Sequence, residues 1–278
     1  MKIIASITAI TFAIAASAQS LPAGDVPLAN ITQLPGLTGI FHTWGFIGDS
    51  LSSGEHESTN ADGSTGYHDL YPYSWGQRIC QATGATGENY SQGGETASGW
   101  IEHFWDRPNN LNKNIDAKQS PKQAYIIALG VNDKNRGDKA GDAKTDINLS
   151  DYTKNAKTFA GYYGGIIQRV KSIQPDAKIF VVTMPRDGND WGQFPDVIRQ
   201  MPEVFDNVYL IDLGKYAPDY GPGSDIRNNF YMGGHLNAAG YQYTAWLMMN
   251  YIDWIVRHNM ADFSQVGFIG TGLKHQHP

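Results

Sequence analysis

The Ser50 hydroxyl and the His235 imidazole are the residues of this sequence whose types and surroundings suit nucleophilic chemistry. The stretch Trp44-Gly45-Phe46-Ile47-Gly48-Asp49-Ser50-Leu51-Ser52 is an apolar run that breaks into Gly-Asp-Ser. A buried parallel strand that ends in a tight turn reads this way, and the turn delivers the serine to the open edge of a sheet. Taken alone, the tripeptide is more often a plain turn leading into a helix cap. A base changes the balance. Tyr231-Met232-Gly233-Gly234-His235-Leu236-Asn237 sets a histidine just before a long helical pattern that Asn237 can cap. Many histidines are neutral structural residues, but one before the final helix at a sheet edge can reach back to a serine after the first strand.

The elements that must position these two groups follow from the apolar runs. Strands are expected over 44–49, 87–91, 124–129, 178–185 and 208–213. Helical patterns fall between and after them, at 74–82, 96–105, 151–173 and 237–256. Such alternation argues for an α/β chain with a doubly wound parallel sheet and helices on both faces. Ligands of these sheets bind beyond the C-terminal strand ends, where the loops starting at Ser50, Gly93 and Gly130 and the loop before Asn237 all fall. Residues 52–71 form a polar insert too long for a mere connector.

The ends of the chain and its charge set limits on partners. Lys2, an apolar run to Ala16 and the small-x-small pattern Ala16-Ser17-Ala18 read as a cleavable signal peptide over 1–18. The expected organisation continues with an irregular lead-in over 19–43, one domain over 44–260 and a tail over 261–278. No other run reaches the length of a membrane span, so an exported protein, periplasmic or extracellular, is expected. A net charge of -6 with no basic stripe argues against nucleic acid and against attachment to a membrane surface. Cys80 is the single cysteine, which excludes an internal disulfide and a thiol-rich metal site.

Four blocks taken together, Gly48-Asp49-Ser50, Asn89-Tyr90-Ser91-Gln92-Gly93-Gly94-Glu95-Thr96, Gly130-Val131-Asn132-Asp133 and His235, resemble the SGNH (GDSL-type) esterases and lipases in order and spacing over about 44–257. The resemblance implies a flavodoxin-like three-layer α/β/α sandwich with a five-stranded parallel sheet, and ester hydrolysis through an acyl-enzyme without cofactor or metal. It assigns Ser50 as nucleophile and one oxyanion donor, Gly94 as the second donor with Gly93 as fallback, Asn132 as the third, and His235 as base. Glycine lets an amide approach substrate unshielded, and a fixed carboxamide meets the charge of a tetrahedral intermediate.

One position departs from the family pattern. Met232 stands three residues before His235, where an orienting aspartate is expected, and a thioether cannot stabilise an imidazolium. Three arrangements remain: a Ser50–His235 dyad held by a backbone carbonyl, an acid displaced to Asp225, or a carboxylate from the insert such as Glu55 or Glu57. Loss of activity is a fourth. The dyad and Asp225 are preferred.

Several other residues have two readings each. His56, His68, Asp62 and Asp69 lack metal-ligand spacing and read as a solvated loop. Trp100, Trp105, Trp191 and Tyr67 can form a sugar-stacking platform or belong to the core. Arg186 can meet a substrate carboxylate or a surface partner, the second being preferred. Glu55 and Trp100 are the candidate substrate contacts. The insert has almost no aliphatic residues, so the expected substrate is a carbohydrate bearing a small acyl group, acetyl in particular. The alternatives are a short-chain acyl esterase or lysophospholipase-like hydrolase, and a catalytically silent glycan-binding module.

Overall fold

The computed structural model describes residues 25–31, 36–104 and 121–275. The expected signal peptide over 1–18 and Trp105 lie outside the described residues. In chain order the strands are β1 (Thr43–Gly48), β2 (Glu55–Thr59), β3 (Thr65–Asp69), β4 (Thr86–Asn89), β5 (Ala124–Ala128), β6 (Lys178–Val182), β7 (Val208–Ile211), β8 (Tyr231–Met232) and β9 (His235–Leu236).

Five of them form a parallel sheet in the order β4-β1-β5-β6-β7. Side chains alternate across a strand, so β1 sends Trp44 and Phe46 to one face and Ile47 to the other. Trp44 and Phe46 join Trp75, Phe180 and the helix Ala238–His258 in one core, while Ile47 joins Tyr125, Phe159 and the helix Phe159–Ile173 in a second. Two cores on opposite faces make three layers. Each large apolar side chain buried in them contributes roughly 1.5–3 kcal/mol relative to exposure.

The strand order puts β1 between β4 and β5. The loops leaving these three strands therefore share one edge, which is the edge that carries Ser50, Gly94 and Asn132. Cross-links hold them together: Ser91 Oγ donates to Phe46 O, Gln92 N to Gly48 O, and Asn89 Nδ2 to Ser52 O at 2.8 Å.

Some boundaries differ from those the sequence suggests. β6 ends at Val182; Thr183 N still donates to Ile211 O, while its hydroxyl donates to Asp212 Oδ1 and accepts from Gly214 N. The helix expected from 151 starts at Phe159, where Thr158 caps it, and only a turn at Tyr152–Lys154 precedes it. The helix expected over 96–105 is one turn, Ala97–Gly99, followed by a π turn at Trp100–Phe104. Within the expected tail, Phe263, Val266 and Ile269 are buried in the first core. The polar insert is an antiparallel hairpin, β2 paired with β3, which no apolar alternation announces.

Candidate active site

Ser50 is the first residue of a single helical turn, Ser50–Ser53. Asp49 caps it, its Oδ1 accepting from Leu51 N at 3.1 Å, and Gly54 closes it in the left-handed region. The first amides of a helix have no partner inside it. Ser50 N is such an amide, and it has no hydrogen-bond partner among the described residues.

The loop after β4 supplies two glycines with different duties. A Cβ on Gly93 would stand 2.0 Å from Glu55 Oε2, and Gly93 N donates to Asp69 Oδ2 at 3.3 Å. Gly94 has φ +73°, its carbonyl accepts from Arg136 Nη2 at 2.6 Å, and its N–H has no acceptor among the described residues. Gly93 thus packs the insert, while Gly94 presents a free amide. Asn132, in the helix Val131–Asn135, donates through Nδ2 to Glu95 O at 3.0 Å, which ties its carboxamide to the same loop.

His235 lies on β9, directly opposite Met232 on β8. Its Nδ1 stands 2.7 Å from Glu57 Oε1, which also accepts from Gly234 N at 2.6 Å. Burial pushes the Glu57 carboxyl up, but the hydrogen bonds from His235 and Gly234 outweigh it, so Glu57 is held below the usual carboxylate range. An ionised carboxylate only accepts, so Nδ1 carries a proton and Nε2 of the neutral ring is a lone pair. Nε2 is 3.0 Å from Glu55 Oε1. Glu55 is 8% exposed; burial pushes its carboxyl up, the His235 charge opposes this, and the charges of Asp69 and Glu57 add to it. A protonated Glu55 can donate to that lone pair, as can Nε2–H of a charged ring to an ionised Glu55. Asp69 accepts from Ser53 Oγ and Gly93 N.

The hairpin thus places a carboxylate where the Gly-rich loop has a methionine. Asp225 is not that acid: it is exposed at the first turn of the helix Asp225–Phe230, and both ring nitrogens of His235 face Glu55 and Glu57. A carbonyl-held dyad is likewise not what the geometry shows, because the partner of Nδ1 is a side chain. Met232 is exposed and opposes the ring without accepting from it.

The sequence pattern of the GDSL-like lipase/acylhydrolase family matches residues 46–243. The chain belongs to this family. The match begins within β1, four residues before the serine, and runs past His235 into the final helix. Among solved structures, a family two carbohydrate esterase from Clostridium thermocellum in complex with cellohexaose shares 20% identity, with a TM-score of 0.51, over 80% of this chain and 65% of the other. A family two carbohydrate esterase from Cellvibrio japonicus shares 15% identity, with a TM-score of 0.53, over 77% and 62%. The chain spans less than two thirds of the length of these two proteins, and the likeness is one of fold. No curated protein matches the sequence.

Of the substrate contacts expected in this family member, neither stands free. Glu55 is engaged with His235, and Trp100 is fully buried with its Nε1 donating to Tyr90 O at 3.2 Å. Trp191 is half-buried and donates to Asp187 Oδ1, and Arg186 caps the carbonyls of Lys215 and Ala217. His56 and His68 are bonded to Gly54 O and the Ser58 hydroxyl. Among the described residues of the proposed platform Tyr67 alone is largely exposed, with its ring edge-on to His235 at 5.8 Å between centroids. The signal for Glu57 was its alternation with Glu55 in Glu-His-Glu, which in a strand sends both carboxylates to one face.

Proposed function

We propose that the protein is an exported serine esterase that removes small acyl groups, acetyl foremost, from a carbohydrate. The observation that carries the reading is the hydrogen bond from His235 Nδ1 to Glu57, which leaves Nε2 as the basic nitrogen at the sheet edge that carries Ser50. In the proposed cycle Nε2 leaves Glu55 for the Ser50 hydroxyl and accepts its proton as Oγ attacks the acyl carbonyl. Ser50 N, Gly94 N and Asn132 Nδ2 receive the oxyanion, His235 returns the proton to the departing alkoxide, and water then resolves the acyl-enzyme by the same route. Glu57 fixes the tautomer and stabilises the imidazolium. Export rests on the signal-peptide pattern of residues 1–18. The carbohydrate rests on the polar hairpin that borders His235, whose strands read Glu-His-Glu-Ser-Thr and Thr-Gly-Tyr-His-Asp.

A second reading, a short-chain acyl esterase, draws on a cavity of about 60 Å³ behind the Ser50 turn. Leu51, Val131, Met184, Leu213, Leu236 and Met248 line it. Comparing acetate, butyrate and octanoate esters of one alcohol separates the two: acetate preference supports the first reading, butyrate preference the second. Loss of turnover in Ser50→Ala is required by both, and its retention refutes both.

A further inference from the structure

We infer that Tyr67 is the stacking wall for the alcohol half of the substrate, a pyranose ring that leaves over His235. The inference rests on the proposed esterase reading and adds the place and chemistry of a subsite to it. Its first support is position. In the proposed cycle His235 hands a proton to the departing oxygen, so whatever borders its ring on the solvent side borders the alcohol, while Gly94 and Asn132 border the acyl carbonyl. Tyr67 is that border: its ring meets the His235 ring edge-on at 75°, with 5.8 Å between centroids.

The second support is exposure without a partner. Tyr67 is 60% exposed, and its hydroxyl has no hydrogen bond among the described residues. A lone exposed aromatic is ordinary on a protein surface. This one is held in place from below, because β3 registers Tyr67 directly opposite Glu57 on β2, and Glu57 is fastened to His235 and Gly234. Tyr241 OH further pins the base of the hairpin through Glu55 O at 2.7 Å. A phenol ring loses little rotamer freedom on contact and offers an apolar face with a polar tip. Those properties suit a pyranose, whose axial C–H groups form an apolar face with hydroxyls at its rim.

The third support is what the other wall is made of. Met232 is 39% exposed and is the cross-strand partner of His235, so its thioether lies on the same side of the β8–β9 ribbon. The Met232 thioether and the Tyr67 ring are thus exposed apolar groups that both neighbour His235. A long acyl or alkyl tail needs a continuous apolar groove, and the neighbours of Tyr67 on its own face of the hairpin are polar: Thr65 and Asp69 along the strand, and Glu57 across the ladder. The methionine that replaces the expected aspartate thereby acquires a use.

The experiment compares two acetate esters that differ only in the alcohol: ethyl acetate, and chemically acetylated cello-oligosaccharide followed by acetate release. Tyr67→Ala is expected to raise KM for the oligosaccharide about tenfold, equivalent to ~1.4 kcal/mol. It should leave kcat/KM for ethyl acetate and the pH profile of kcat within twofold. Tyr67→Phe and Tyr67→Trp keep the oligosaccharide KM. Equal losses on both esters, or a displaced pH profile, would assign Tyr67 to holding His235 and overturn the subsite. No change on either ester overturns it as well. Retention of activity by Ser50→Ala is a separate outcome, which removes the esterase reading itself.

Discussion

Glu57 and Tyr67 stand directly opposite each other on the β2–β3 hairpin, and both address the ring of His235, one through Nδ1 and the other edge-on. The hairpin is thus more than a decoration on the sheet. It brings a carboxylate to Nδ1, where the loop before the histidine has a methionine, from a point 178 residues earlier in the chain.

The first prediction concerns that carboxylate. Glu57→Gln keeps the size of the side chain but can offer its amide group to Nδ1, so the tautomer is no longer imposed. The expected loss in kcat on ethyl acetate is about a hundredfold or more, ~2.7 kcal/mol of barrier. Asp225→Asn, remote from both ring nitrogens, stays within twofold of the parent. A hundredfold loss in Asp225→Asn with little effect in Glu57→Gln would reverse the assignment.

How far the chain announced this site depends on which signal each residue used. Ser50, Asn132 and His235 were legible because each follows or precedes an element with strong apolar patterning, and the strand order then brings their loops to one edge. The five-stranded sheet was legible for the same reason: β5 and β6 are continuous apolar runs buried on both faces. The hairpin was not. Its strands are polar on both faces, and its pairing is set by register and by anchors such as Tyr241, which lie far away in sequence. Trp100 misled because composition cannot tell an aromatic in a loop from one whose indole closes the second core.

The second prediction separates the two glycines. Gly93→Ala places a methyl 2.0 Å from Glu55 Oε2, so the carboxyl must move and with it the contact to His235. Both melting temperature and kcat should fall. Gly94→Ala meets open space, the nearest atom being Arg136 Nη2 at 3.9 Å, and retains the amide. Its cost in stability is the positive φ alone, roughly 1–2 kcal/mol, while a Cβ beside the proposed donor amide should lower kcat. Thermal melts of the two variants, with kcat on ethyl acetate, check the contrast; an unchanged kcat in Gly94→Ala would remove its amide from the oxyanion hole.

The third prediction follows from Trp100. Its indole is fully buried and bonded to Tyr90 O, so truncation to Ala should destabilise by about 3–5 kcal/mol. Trp100→Phe, which folds with a smaller penalty, should leave KM for acetylated oligosaccharide unchanged. A tenfold rise in that KM at full folding would restore Trp100 as a substrate contact.

The last prediction is a pH dependence of stability centred on the turn itself. Burial pushes the Asp49 carboxyl up to about 7; the hydrogen bond from Leu51 N opposes this, and the charges of Asp133 and Glu55 add to it. An acid whose pKa is raised by folding binds more protons in the native state than in the unfolded chain. Its stabilisation is complete below the unfolded value near 3.8 and is lost as pH rises through about 7. The shift corresponds to something on the order of 4 kcal/mol over that window. Asp49→Asn keeps the acceptor for Leu51 N and cannot ionise, so it lacks this loss. The melting temperature of the variant relative to the parent should therefore climb between pH 5 and pH 8. Asp133, also raised to about 7 by burial and bonded through Oδ1 to Ala97 N, should show the same trend in Asp133→Asn. Parallel melting curves across that range would mean that both carboxyls ionise in the folded protein as readily as in water.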